Sequence, residues 1–330
     1  MSDLNCRLRN GGDFDNLVGM NEIAKEHKEY IVGHLDWNSR IRFAVGIGVS
    51  CILFATLGFM VLSPWDPQGA ISLQFVDNEV FFLIRVVGLL LVTGVFSSVI
   101  MDARLPMFGT FSAAIGMGIP LIKTAGMTYV MTRLQVGKEF EHSHDLWLYL
   151  MMESLAWGIV LMILAGGTMA VERWLRKNGG KIGEEGAASD KQKKSKEKGH
   201  SIPWLRGLGG TGITVILALS LIWVLAANSD KGQVVFAVIA SFMVAAIFAE
   251  QVTENDHPFW QILAVPLVAL IAFGYTWQNP GRPQGLETLL NVAPTNPARV
   301  LPVEYIFMGA IGAIFGTWTS HRMRYAKKHG

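Results

Sequence analysis

The chain has 330 residues, of which 51% are hydrophobic and only 16% charged, with a formal net charge of +2 and a mean hydropathy of +0.36. Ordinary water-soluble domains carry about 25% charged residues, so a soluble globular enzyme is excluded. The two cysteines, Cys6 in a polar leader and Cys51 in an apolar run, supply neither a disulfide framework nor a cysteine-based metal finger.

Residues 1–40 form a polar leader. They carry Asp3, Asp13, Asp15 and Glu22 where a secretory signal would have a short apolar core, so the leader is expected to stay on the protein. Within it Met20, Ile23, Ala24, His27, Ile31 and Leu35 recur at helical spacing. This predicts an amphipathic helix lying on the inner membrane surface or packed on the bundle or a partner.

Crossing a bilayer takes about 20 mostly apolar residues, because hydrocarbon tolerates only a backbone that satisfies its own hydrogen bonds. Eight stretches qualify or come close: Phe43 to Ser63, Val80 to Met101, Met107 to Met131, Leu146 to Val171, Gly210 to Ala227, Val234 to Ala249, Phe259 to Trp277 and Glu304 to Ser320. The expected fold is therefore an all-α polytopic integral membrane protein. A first four-helix group spans residues 41–171 and a second 207–320, joined by a charged linker over 172–206 and followed by a basic tail over 321–330.

Lys and Arg outside the spans set the orientation, since positive loops stay cytoplasmic. Six in the leader, Arg104, ten in the linker and four in the tail put 21 on one side, against Arg133, Lys138, Lys231, Arg282 and Arg299 on the other. Both termini are therefore expected in the cytoplasm, with the protein in a plasma or inner membrane. The linker's composition cannot bury enough surface to offset ordering, which predicts flexibility. Its run Lys191, Lys193, Lys194, Lys196 and Lys198 suits anionic lipid headgroups or a solvated tether. No aromatic residue interleaves with these charges, so nucleic acid is not expected as a partner.

Four spans, a linker and four spans raise the question of duplication. The second and sixth spans end alike, at Asp102 to Pro106 and Asp256 to Pro258, and the spans that follow each contain an interior proline, Pro120 or Pro266. Interrupted spans in corresponding positions point to a transport site. The registers disagree, however, and four spans per half would make the topology parallel rather than inverted. Gly46 and Gly48 on the first span, and Gly309, Gly312, Ala313 and Gly316 on the eighth, predict close helix contacts. The string Gly207 to Gly212 follows a basic linker rather than a strand, so it reads as span entry and not as a phosphate loop.

Three ionisable residues fall well inside the spans: Arg85, Lys123 and Glu153. Such residues are costly in lipid and are site candidates. At about 1.5 Å per residue they lie roughly 7, 12 and 10 Å below the outer surface, a shared level at which they could meet and leave net positive charge for an anion. Gly116, Pro120, Lys123, Gly126 and Met127 share one helical face. The structural alternative is an interhelical ion pair with the extra cation reaching outward to the headgroups.

On the outer side, Glu139, Glu141, His142, His144 and Asp145 gather potential ligands, and an extended loop would aim His142, His144 and Asp145 at a divalent metal. Polar outer loops are common without a metal, and no other cofactor is expected. No histidine lies at mid-membrane to ligate a haem. His257 reads as part of a turn with Asp256 as a cap, and the proline-rich stretch from Gln278 to Val303 as a rigid outer loop. Two functions are expected from these residues. One is transport of a small solute or ion through a site near Lys123. The other is a non-catalytic subunit of a larger membrane complex or homo-oligomer.

Overall fold

The computed structural model describes residues 36–62, 69–102, 104–137, 143–183, 203–227, 230–254, 257–279 and 295–329. Every regular element among them is helical. In chain order they are α1 (Trp37–Leu62), α2 (Glu79–Met101), α3 (Phe108–Lys123), α4 (Met127–Gly137), α5 (Ser143–Gly183), α6 (Pro203–Leu225), α7 (Lys231–Thr253), α8 (Phe259–Gln278) and α9 (Pro302–His329). Among the described residues six helices are long and apolar enough to cross a membrane, those of α1, α2, α5, α6, α7 and α8.

Two of the eight expected spans take a different form from the six. The third stretch, Met107 to Met131, is not one helix: α3 stops at Lys123, Thr124 turns extended (φ −84°, ψ 166°), and α4 begins at Met127. Pro120 has no N–H for the helical ladder and only three residues follow before the break. The eighth stretch lies inside α9, a 28-residue helix that is not among the six. Its residues from Pro302 to Ala310 are all buried. A helix wrapped by other helices does not need a lipid-compatible surface, so Gly, Thr and Glu are admissible on it.

Caps in the sequence set the remaining boundaries. Asp36 caps α1 by accepting from Ser39 N (2.7 Å), Asn78 caps α2 by accepting from Phe81 N (3.0 Å), and Asp230 caps α7 by accepting from Gly232 N (3.2 Å). At their other ends α2 and α7, 23 residues each, stop in left-handed residues, Asp102 (φ 55°) and Glu254 (φ 50°). The fourth stretch also runs further than expected: α5 continues helically to Gly183, so the first part of the predicted linker is helix. Glu172 lies buried on that extension. The remainder of the linker, the amphipathic leader and most of the outer loop after Gln278 lie outside the described residues.

The two helix groups pack in matching patterns. α1 packs on α2 and α3 as α6 packs on α7 and α8, and α2 packs on α5 as α7 packs on α9. Between the groups α3 meets α9, α5 meets α8, and α5 meets α9. Exchanging α1 with α6, α2 with α7, α3 with α8 and α5 with α9 maps this set onto itself, except that the α2–α3 contact has no comparable α7–α8 counterpart. The packing pattern is thus largely preserved when the two groups are exchanged, with α5 and α9 in contact between them.

Lipid tails are as apolar as leucine, so close packing rather than hydrophobic collapse holds such helices together. The predicted glycine contacts on α9 are real: a Cβ at Gly312 or Gly316 would lie 2.3 or 2.4 Å from the α7 carbonyl oxygens of Ile239 and Met243. Gly46 likewise admits the Phe108 ring at 2.7 Å, whereas Gly48 faces open space. Gly207 to Gly212 lie within α6, with the Trp260 ring seated on Gly207.

Candidate functional site

Three non-helical strands of backbone converge at one end of the bundle. The first is the break at 124–126. The second is the segment after residue 68, in which Ala70, Ile71, Ser72 and Leu73 are all buried before a short 3-10 turn, Leu73–Phe75, leads to α2. Ala125 N donates to Gly69 O at 3.2 Å and joins the two. The third is the approach to α9 at Val300 and Leu301.

Lys231 and Glu304 lock this junction. Lys231 is the first residue of α7, and its Nζ reaches across to the other helix group, donating to the Thr124 carbonyl, to Thr124 Oγ1 at 3.3 Å and to Ala125 O at 3.1 Å. The same ammonium lies 3.4 Å from Glu304 Oε1. Glu304, in the first turn of α9, is 1% exposed and accepts from Leu301 N through its other oxygen at 3.1 Å. Carbonyls freed by a broken helix are tolerated at membrane depth only where protein groups satisfy them. Here a charged side chain from the opposite helix group does so.

Glu153 is the neighbouring anchor. It is 2% exposed on α5 and accepts from Ser72 Oγ (2.7 Å), Leu73 N (3.1 Å) and Trp157 Nε1 (3.1 Å). The Trp157 ring stands against Phe82 of α2 and Phe307 of α9, with centroids 6.3 and 5.9 Å away. Glu153 thus ties the 70–73 segment to the centre of the bundle through neutral donors.

The expected meeting of Arg85, Lys123 and Glu153 does not occur. Arg85 is exposed on α2 with its guanidinium carbon 4.0 Å from the Phe81 ring centroid. Lys123 is exposed at the end of α3 with its ammonium 4.9 Å from the Phe59 centroid. Among the described residues neither forms an ion pair. Similar depth did not guarantee contact because a helix's azimuth decides which way a residue points. Arg85 shares its side of α2 with exposed Phe81, Val92, Phe96 and Val99, whereas Glu153 lies with buried Leu150, Trp157 and Val160.

At the opposite end of the bundle a second charged cluster joins α6, α7, α8 and α9. Glu250, fully buried in the last turns of α7, lies 3.3 Å from Arg324 Nη2 and 3.9 Å from His321 Nε2. It also accepts from Gln261 Nε2 at 3.2 Å, while Thr214 Oγ1 donates to the Gln261 carbonyl oxygen. Glu172 accepts from Met107 N at 3.1 Å, and Trp318 Nε1 donates to Pro106 O at 3.1 Å, tying α9 to the entry of α3. Nearby, burial and the charges of Arg173 and Arg176 hold the His257 imidazole below its usual range.

The metal-ligand reading meets different local geometry. His144 and Asp145 are in the first turn of α5 rather than in an extended loop, and His142 and the His144 side chain lie outside the described residues. Among the described residues no group of three metal-ligating side chains forms. Sequence reasoning missed Lys231 and Glu304, the first counted as an outer-loop cation and the second as the start of a span, although they are opposite charges at the same end of two helices. Comparison with protein-family models, curated proteins and solved structures returned no match.

Proposed function

We propose that the protein is a membrane transporter of a small solute or ion, crossing the bilayer eight times with both termini cytoplasmic. In this reading its two helix groups rock about the α5–α9 contact. The observation that carries the reading is the break at 124–126, held where the groups meet by Lys231 and Glu304. Parallel repeats related by an axis along the membrane normal, with discontinuous helices at the repeat interface, are a recurring transporter architecture. The site moves from Lys123 itself to the adjacent Thr124 and Ala125 carbonyls. Thr124 is 8% exposed and Glu304 1%, which this reading takes as the closed state of an outer gate.

Opening requires the Lys231 ammonium to leave its four oxygens. The test uses Thr124→Cys in a chain whose Cys6 and Cys51 are changed to serine, labelled in vesicles with a membrane-impermeant maleimide. Slow labelling is expected, with strong acceleration from the outer side when Lys231→Met is added. Proteoliposomes on a solid-supported membrane, challenged with inorganic ions, amino acids and sugars, should give a current or flux that Lys231→Met alters. Labelling indifferent to Lys231, together with no flux above empty liposomes, would reject transport. The second reading, an accessory subunit of a membrane complex, is favoured by one observation: Glu153 and Glu172 accept from neutral backbone and side-chain donors, as braces in a static scaffold would.

A further inference from the structure

The Arg85 side chain lines a pocket of about 300 Å³ between the end of α1, the 70–78 segment and the start of α2. Met60, Leu62, Phe75 and Phe82 form the apolar part of its wall, and Ser72, Asp77 and Asn78 line it on the side of the segment leading into α2. Met60 is 81% exposed and Phe81 51%, so the pocket adjoins the outer surface of the bundle rather than its centre. Arg85 points back over Phe81, one turn toward the start of α2.

A cation on a lipid-facing helix side is expensive unless it reaches the headgroup layer or meets an anion. Among the described residues Arg85 has a ring beneath it and no carboxylate within ion-pair distance. Guanidinium groups bind phosphate oxygens bidentately, and the side of the pocket formed by Met60, Leu62 and Phe82 suits hydrocarbon. We propose that this pocket binds one phospholipid molecule, with its phosphodiester on Arg85 and an acyl chain along Met60, Leu62 and Phe82. The bilayer is the source of this ligand, and the proposal stands independently of the transport reading.

The test follows ligand retention on the detergent-purified full chain by native mass spectrometry, titrated separately with phosphatidylglycerol, diacylglycerol and inorganic phosphate. Wild type should retain one phosphatidylglycerol in preference to the other two. Arg85→Gln should weaken that binding about tenfold, the loss of one charge-assisted contact, while Arg85→Lys retains most of it. Equal retention of diacylglycerol would overturn phosphate recognition. Equal retention of inorganic phosphate would assign a free anion and overturn the lipid. Unchanged phosphatidylglycerol binding by Arg85→Gln would also overturn the proposal. A measurement that needs no variant uses photoactivatable phosphatidylglycerol in vesicles. Crosslinks should concentrate on peptides around Met60 and Phe82, and an even spread over the exposed spans would refute the assignment.

Discussion

Replacing Lys231 with methionine removes one charge and leaves a larger debt behind. Glu304, 1% exposed, loses the only ion-pair partner it has among the described residues, and the carbonyls of Thr124 and Ala125 lose their donor. Removing one member of a buried pair costs about 3–5 kcal/mol. The Lys231 side chain is 19% exposed, so water can enter the space it vacates and the lower end, about 3 kcal/mol, applies. At about 2 °C per kcal/mol for larger domains the unfolding midpoint in detergent should fall by about 6 °C. Adding Glu304→Gln to Lys231→Met should restore more than half of the loss, because the orphaned charge is gone. Thermal unfolding of the four proteins forms a double-mutant cycle, and the coupling is read from its non-additivity. Two results would refute the reasoning: a Lys231→Met midpoint within a degree of wild type, or strictly additive single changes.

Three further outcomes are expected. Glu153→Gln should cost less than about 1 kcal/mol, since its amide can still accept from Leu73 and Trp157 and donate to Ser72, whereas Glu153→Leu strands three donors and should cost about 3 kcal/mol or more; denaturant titration that ranks the two equally would contradict the bonding described. Gly312→Val forces side-chain carbons against the Ile239 carbonyl and should destabilise by about 1–3 kcal/mol, while the same change at Gly48, which faces open space, should lower the melting midpoint much less. His257 is held below its usual range by burial and by Arg173 and Arg176; the unfolded chain therefore binds its proton first, near pH 6.5. Stability is unaffected above that pH and falls as the pH drops through the window beneath it. His257→Gln should shallow that acid slope between pH 7.5 and 5.5, and a slope identical to wild type would remove the assignment.

Six spans were legible because hydrocarbon imposes a length and composition that a sequence window detects. The interior prolines were legible too, but not where α3 ends: Pro120 weakens the helix, while the stop three residues later is set by Ala125 bonding Gly69 and by Lys231 gripping two carbonyls. Those partners lie far away in sequence and carry no periodic signature. The same holds for Arg85, Lys123 and Glu153. Rise per residue put them at one level, but the rotation of each helix, set by close approaches such as Gly94 on α2, Gly116 on α3 and Gly158 on α5, turned two outward and one inward. Applied to span ends as well as interiors, the same level argument would have paired Lys231 with Glu304, since both begin helices that descend from the outer side in the expected topology.

The burial of α9 bears on how the protein is made. Ribosomes deliver helices in chain order, so α1 to α8 emerge before the helix that fills the space between them. Until it arrives, α3, α5, α7 and α8 face an unfilled slot, and the Gln251 side chain lacks the Ser320 acceptor it reaches in the finished protein at 2.9 Å. Among the described residues the one long helix that is not among the six apolar enough to cross a membrane is thus the one awaited longest. Its capture depends on a preassembled groove of complementary shape, so nascent chains stalled before residue 302 should be the species that membrane quality control recognises.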